Sequence, residues 1–203
     1  GSGWGAGTWG RSTWGSSTDV TAVTNDLRVY TQDNFGEDLI FNVRDGNIYY
    51  WDTSADNLGT DRAVPLTAVL GGALWVSGTS YTVGAKVYSP VNYHSYECII
   101  NVSGTTDPSA DAANWLQISD GTTPTKAKQV LVSDRDRHVV VFGTDSETAI
   151  GTMDPLLIRF SNQESVTTWT ATADNTAGDL RVGAGSEIVC AIETRQQVLV
   201  FTD

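Results

Sequence analysis

The chain has 203 residues, 40% of them hydrophobic, and carries 24 acidic against 12 basic side chains for a net charge of −12. That length permits one or two domains with a sizeable core. The acidity argues against ordinary nucleic-acid binding, which needs Lys and Arg to neutralise phosphates, and against an anionic membrane surface.

Residues 1–26 read as an extended arm. Trp4, Trp9 and Trp14 recur every fifth residue, each followed by Gly. Neither a helix nor a strand puts every fifth residue on one face, and Gly at this density opposes regular structure. Such an arm cannot fold alone, so its indoles need a partner surface on this chain or a neighbouring subunit.

Residues 27–72 switch to short apolar or alternating runs, LRVY at 27–30, DLIFNV at 38–43 and NIYYW at 47–51. Asp45-Gly46 before Asn47 predicts a hairpin between the last two. Asn57-Leu58-Gly59-Thr60 and Pro65 mark loops.

Residues 73–119 differ again, with six aromatics, Trp75, Tyr81, Tyr88, Tyr93, Tyr96 and Trp115, around Gly84 and Pro108. This pattern predicts a small β module whose aromatics fill its core or offer a flat face to a sugar.

Strand signals resume over 120–203. They are QVLVS (129–133), HVVVFG (138–143), PLLIRF (155–160), VTTWTAT (166–172), DLRVG (179–183), EIVCAIE (187–193) and QVLVFT (197–202). Scarce Lys and abundant Val, Thr, Tyr and Trp favour strands and turns. The expected fold is all-β, an antiparallel host of propeller-like blades or a sandwich, interrupted by the small module. Residues outside the module are too few for a complete propeller, so an incomplete ring or a sandwich is expected. The strand-like last residues predict that the chain continues or pairs with another subunit.

Chemistry-bearing motifs are sparse. Cys98 and Cys190 cannot make a disulfide framework and read as small buried apolar residues. No apolar run reaches the ~20 residues of a membrane-spanning helix, and no secretory h-region stands near residue 1. Asp134-Arg135-Asp136-Arg137-His138 is an acid–histidine cluster, but it falls where a solvated hairpin turn is expected. P-loop, GxSxG and paired-Cys patterns are missing. No enzyme activity, metal or cofactor is therefore expected.

The order Trp75, Ser77, Tyr81, Gly84, Val87-Tyr88, Tyr96, Gly104, Pro108 and Trp115 resembles the chitin-binding modules of carbohydrate-binding families five and twelve, and their versions inside phage tail and fibre proteins. The resemblance implies glycan contact through Trp75, Tyr81, Tyr88, Tyr93 and Trp115. Chitin-binding members carry a tandem pair of exposed tryptophans where this chain reads Cys98-Ile99-Ile100-Asn101. The leader GWGAGTWGRSTWG, with LRVYTQDNFGEDLIFNVRDGNIYYWD and QVLVFTD, is similar to β-rich structural proteins of tailed-phage virions. That resemblance implies a tail component located in the virion and assembled in the bacterial cytoplasm. It would bind other virion subunits, as a homo-oligomer, through Trp4, Trp9 and Trp14. Its module would face outward toward host-surface polysaccharide, with no specific nucleic-acid or membrane partner. A non-catalytic carbohydrate-binding adhesion protein is the alternative.

Overall fold

The computed structural model describes residues 28–54 and 62–203. The arm tryptophans Trp4, Trp9 and Trp14 and the expected loop at Asn57 lie outside the described residues. The described chain is all-β. Its strands are β1 (Tyr30–Phe35), β2 (Asp38–Val43), β3 (Gly46–Trp51), β4 (Val64–Pro65), β5 (Ala73–Leu74), β6 (Ser80–Tyr81), β7 (Lys86–Tyr88) and β8 (Ser95–Cys98). They continue as β9 (Val102–Ser103), β10 (Trp115–Gln117), β11 (Lys126–Val132), β12 (Val139–Ser146), β13 (Ala149–Phe160), β14 (Gly178–Arg181), β15 (Ile188–Glu193) and β16 (Val198–Thr202). Short 3₁₀ turns occupy Leu66–Gly71 and Pro108–Ala110.

The largest sheet runs β1-β2-β3-β11-β12-β13-β14, with β4 beside β3. The β2–β3 turn sits one residue earlier than the Asp-Gly signal placed it. Asp45 itself takes the left-handed conformation, at φ +59°, and Gly46 opens β3. Asp is among the few non-glycine residues that tolerate this region. The first strand is also displaced from LRVY toward TQDNF. Its polar residues serve as edge substitutes. Where the β3–β11 ladder stops after Ala127, the Val130 amide donates to Thr31 Oγ1 at 3.1 Å and the Val132 amide to Asp33 Oδ2 at 2.8 Å. Asn42 Nδ2 donates to the Ala127 carbonyl at 2.8 Å. Side chains thus replace a backbone ladder and let β1–β2 fold over β11 without leaving its groups unpaired.

The β11–β12 pair is covered on both faces, which is why it reads as unbroken apolar runs. One face puts Val130, Val132, Val139 and Val141 against Ile40, Ile48, Leu66 and Trp169. The other puts Leu131 and Phe142, with Leu156 and Ile158, against Ile188 and Ala191 of the β15–β16 hairpin. The expected strand at 166–172 is instead an irregular loop. Ser165 Oγ accepts from the Thr167 and Thr168 amides, and Asp120 Oδ2 accepts from the Trp169 and Thr170 amides at 2.8 Å each. Those side-chain acceptors satisfy the backbone locally, so it needs no strand partner.

A third core belongs to residues 73–117. Trp75, Val87, Tyr96, Cys98 and Trp115 are buried together beneath the sheet β10-β8-β7-β5, whose β5–β7 pair is parallel. The β4–3₁₀ segment ties this unit to the host. Leu66 enters the host core, while Thr67 Oγ1 donates to the Tyr93 carbonyl at 2.7 Å and its own carbonyl accepts from Ser95 Oγ at 3.1 Å. A methyl group on Gly71 would lie 2.7 Å from the backbone of Val87 and Tyr88. Gly71→Ala will therefore push the module off the host and cost about 1–3 kcal/mol, the range for overpacking. Urea unfolding checks this, and an unchanged midpoint would contradict it.

Candidate functional site

The seam between module and host holds the two clefts of interest. The first is built from β3. Ile48 and Tyr50 point into the host core, so alternation turns Trp51 the other way. The Tyr50 hydroxyl donates to Asp38, and Asp38 Oδ1 also accepts from the Thr53 amide at 2.9 Å and Thr53 Oγ1 at 3.1 Å. Asp52 Oδ1 takes the Ser54 amide at 2.8 Å. The backbone carrying Trp51 is thereby pinned on both sides. From the module, Tyr88 is held by the Trp75 amide on its carbonyl at 2.9 Å and by parallel pairing with Leu74.

Between these elements lies a cleft of about 530 Å³, lined by Tyr50, Trp51, Asp52, Arg62, Ala68 and Tyr88 among others. Trp51 and Tyr88 are partly exposed, and Asp52 and Arg62 are exposed. A smaller cleft of about 180 Å³, lined in part by Asn47, Thr67, Asn92, Tyr93 and Thr125, lies on the other flank of the same linker. Tyr93 is 46% exposed and holds a left-handed backbone at φ +59°. That conformation is costly for an aromatic residue.

Burial, with the Asp38 carboxylate next, pushes the Tyr50 hydroxyl well above its ordinary range. It stays a proton donor at any physiological pH. Burial alone would raise the Asp38 carboxyl, but the hydrogen bonds from Tyr50 and Thr53 outweigh it and hold the group low. Asp38 is thus a fixed structural acceptor. What remains open to a ligand is two rings, one carboxylate and one guanidinium. Rings cover apolar C–H faces, and the polar pair meets hydroxyls.

The structure divides the sequence-derived candidates. Trp75 and Trp115 are buried in the module core at 8% and 2% exposure. Tyr81 packs edge-on against Trp115, ring centroids 5.2 Å apart, and its hydroxyl accepts from the Val76 amide at 2.8 Å. These three come together as packing, and the Trp75 and Trp115 ring faces are covered. Tyr88 and Tyr93 instead line one cleft each. Within Cys98-Ile99-Ile100-Asn101, the stretch where chitin-binding members carry tandem tryptophans, Ile99 and Ile100 are 42% and 54% exposed and Asn101 is exposed. That surface faces outward but offers aliphatic chains in place of rings. The acid–histidine cluster is a hairpin turn with four exposed charged residues, and His138 Nδ1 bonds the Ser161 carbonyl at 2.7 Å.

Sequence reasoning missed Trp51, Asp52 and Arg62. The usable signal was an aromatic pair at a strand end followed directly by an acidic turn. Cys98 and Cys190 are both free. Among the described residues no group of three or more His, Cys, Asp or Glu could hold a metal ion, and no helix is long and apolar enough to cross a membrane. No family model, curated protein or solved structure matches the chain.

Proposed function

We propose that this chain is a non-catalytic structural component of a tailed-phage virion, part of its tail. It assembles through its β host and Trp-Gly arm and touches host-surface glycan at the seam between host and module. The observation that carries the glycan contact is the larger cleft, where Trp51 and Tyr88 stand open beside Asp52 and Arg62. A sugar ring presents C–H faces to such aromatics and hydroxyls to such charges. The reading as a virion component rests on the similarity of the Gly-Trp leader and the β host to virion proteins. A free-standing carbohydrate-binding protein would use the same cleft. The two differ in solution state, because a monomer at all concentrations would fit adhesion and not assembly.

Binding to bacterial cell-wall and capsular polysaccharides tests the contact. Trp51→Ala and Tyr88→Ala will each weaken binding by at least about tenfold, equal to about 1.4 kcal/mol. Ile100→Ala will leave it unchanged. Circular dichroism of both variants should match the parent, since neither ring belongs to a core cluster. Binding that survives Trp51→Ala and Tyr88→Ala but falls with Ile100→Ala would move the site to the outer module surface.

A further inference from the structure

The β15–β16 hairpin has one guarded edge and one open edge. The Thr194 amide donates to the Gln197 carbonyl at 2.8 Å, and the register runs back through Ile192 opposite Leu199 and Cys190 opposite Phe201. Backbone groups alternate in direction along an antiparallel pair. Ala191 and Glu193 therefore point their amides and carbonyls away from β16, and Val198 and Val200 point theirs away from β15. Side chains close the first edge. Gln129 Nε2 donates to the Ala191 carbonyl and Gln129 Oε1 accepts from the Ala191 amide, both at 2.7 Å, as a neighbouring strand would. Arg44 Nη1 donates to the Val189 carbonyl at 2.9 Å. The second edge differs, since among the described residues β16 pairs with β15 alone. Native edges are normally blunted by charges, proline or bulges. The edge strand β14, GDLR, carries Asp179 and Arg181, whereas β16, VLVFT, has neither charge nor proline.

We propose that β16 is a self-association edge, to which β16 of a second copy of this chain adds antiparallel about a two-fold axis. Charge sets the register. Exposed Arg195 precedes β16 and exposed Asp203 follows it. Among the described residues neither forms an ion pair. The Asp203 carboxylate accepts from the Ser186 amide and hydroxyl and from the Glu187 amide. These neutral donors place it without cancelling its charge. A two-fold at Leu199 sets Arg195 of each copy opposite the partner's Asp203, Val198 opposite Val200, and Leu199 opposite itself. Val198 and Val200 then exchange their outward amides and carbonyls. Val200 and Ala191 pack inward, whereas Leu199 and Phe201 are each 47% exposed. The Leu199 pair falls at a non-hydrogen-bonded site, where side chains approach most closely, and each Phe201 lies on its diagonal. Apolar side chains of both copies meet there. The same patch serves both copies, so the contact closes as a dimer. The proposal gives the assembly reading a surface and rests on it, and the glycan cleft takes no part.

Sedimentation of the full chain from micromolar to millimolar concentration tests it. The parent should dimerise, and Val198→Pro should weaken the dimer by at least about tenfold. Proline is tolerated at the first residue of an edge strand, and Val198 belongs to no core cluster, so circular dichroism should match the parent. Arg195→Asp, in an exposed bend, should weaken the dimer severalfold at low salt by setting like charges together. In full-length Cys190→Ser/Leu199→Cys, mild oxidation should join position 199 to itself as a covalent dimer, with the buried Cys98 unable to compete. A dimer that Val198→Pro and Arg195→Asp both leave intact, with no bond formed at position 199, would overturn this edge and keep the assembly reading. A monomer at every concentration would overturn both.

Discussion

Trp169→Ala will cost about 3–5 kcal/mol of folding free energy, the range for removing a buried tryptophan. Trp169 is fully buried at the centre of the first core cluster, and its indole Nε1 donates to the Val166 carbonyl at 2.9 Å. The ring also lies over the guanidinium of Arg159, 5.9 Å from the ring centroid. Arg159 is fully buried, and burial pulls its pKa below the ordinary value. Nη1 reaches the Asp145 carbonyl at 3.2 Å, Nη2 lies 3.6 Å from Glu147, and Nε and Nη2 have no hydrogen-bond partner. Deleting the indole therefore leaves a cavity beside a poorly satisfied buried cation, two penalties at one place. Urea denaturation will read it as a large fall in midpoint. A change under about 1 kcal/mol, the scale of a surface substitution, would show that the 161–177 loop does not close this core.

Asp120 gives the second large effect, and it depends on pH. Its Oδ1 accepts from the Thr122 amide and from the Thr122 and Thr170 hydroxyls, and its Oδ2 from the Trp169 and Thr170 amides. Burial alone would raise this carboxyl, but the hydrogen bonds prevail and hold it at about 2 against an ordinary 3.8. A depressed carboxyl stabilises the fold when both states are ionised, above the unfolded value. Its contribution falls away as pH drops from about 4 toward 2 and the native carboxylate is protonated. At neutral pH it is worth about 1–2 kcal/mol after allowing for partial exposure. Asp38, Asp107 and Asp154 are also held low, so the comparison must be between parent and Asp120→Asn. The variant should be less stable at pH 7 by about 1–3 kcal/mol, the cost of stranding buried amides, and the gap should narrow steadily below pH 4. A gap that stays constant to pH 2.5 would contradict the role of the ionised carboxylate.

Much of the fold was legible because its signals are local. DLIFNV occupies β2 from Asp38 to Val43, and the runs around HVVVFG and QVLVFT each contain a strand. Two of the misses share one cause, side chains that take over backbone hydrogen bonds. VTTWTAT has strand composition, yet Ser165 and Asp120 satisfy its amides and leave Trp169 free to plug the core. TQDNF looks too polar for a strand, yet Thr31 and Asp33 make it an edge for β11. The site was half legible. Tyr88 and Tyr93 stood out beside a turn, whereas Trp51 became relevant only when Gly71 brought the module against β3. No local pattern encodes that approach.

The seam is the centre of the functional reading, and hydrogen exchange of the full chain with and without bacterial cell-wall or capsular polysaccharide tests it most directly. Slowed exchange confined to amides around residues 50–53 and 87–89, with residues 99–101 unchanged, is the expected result. Protection at 99–101 with none at 50–53 would contradict it and place glycan contact on the outer surface of the module.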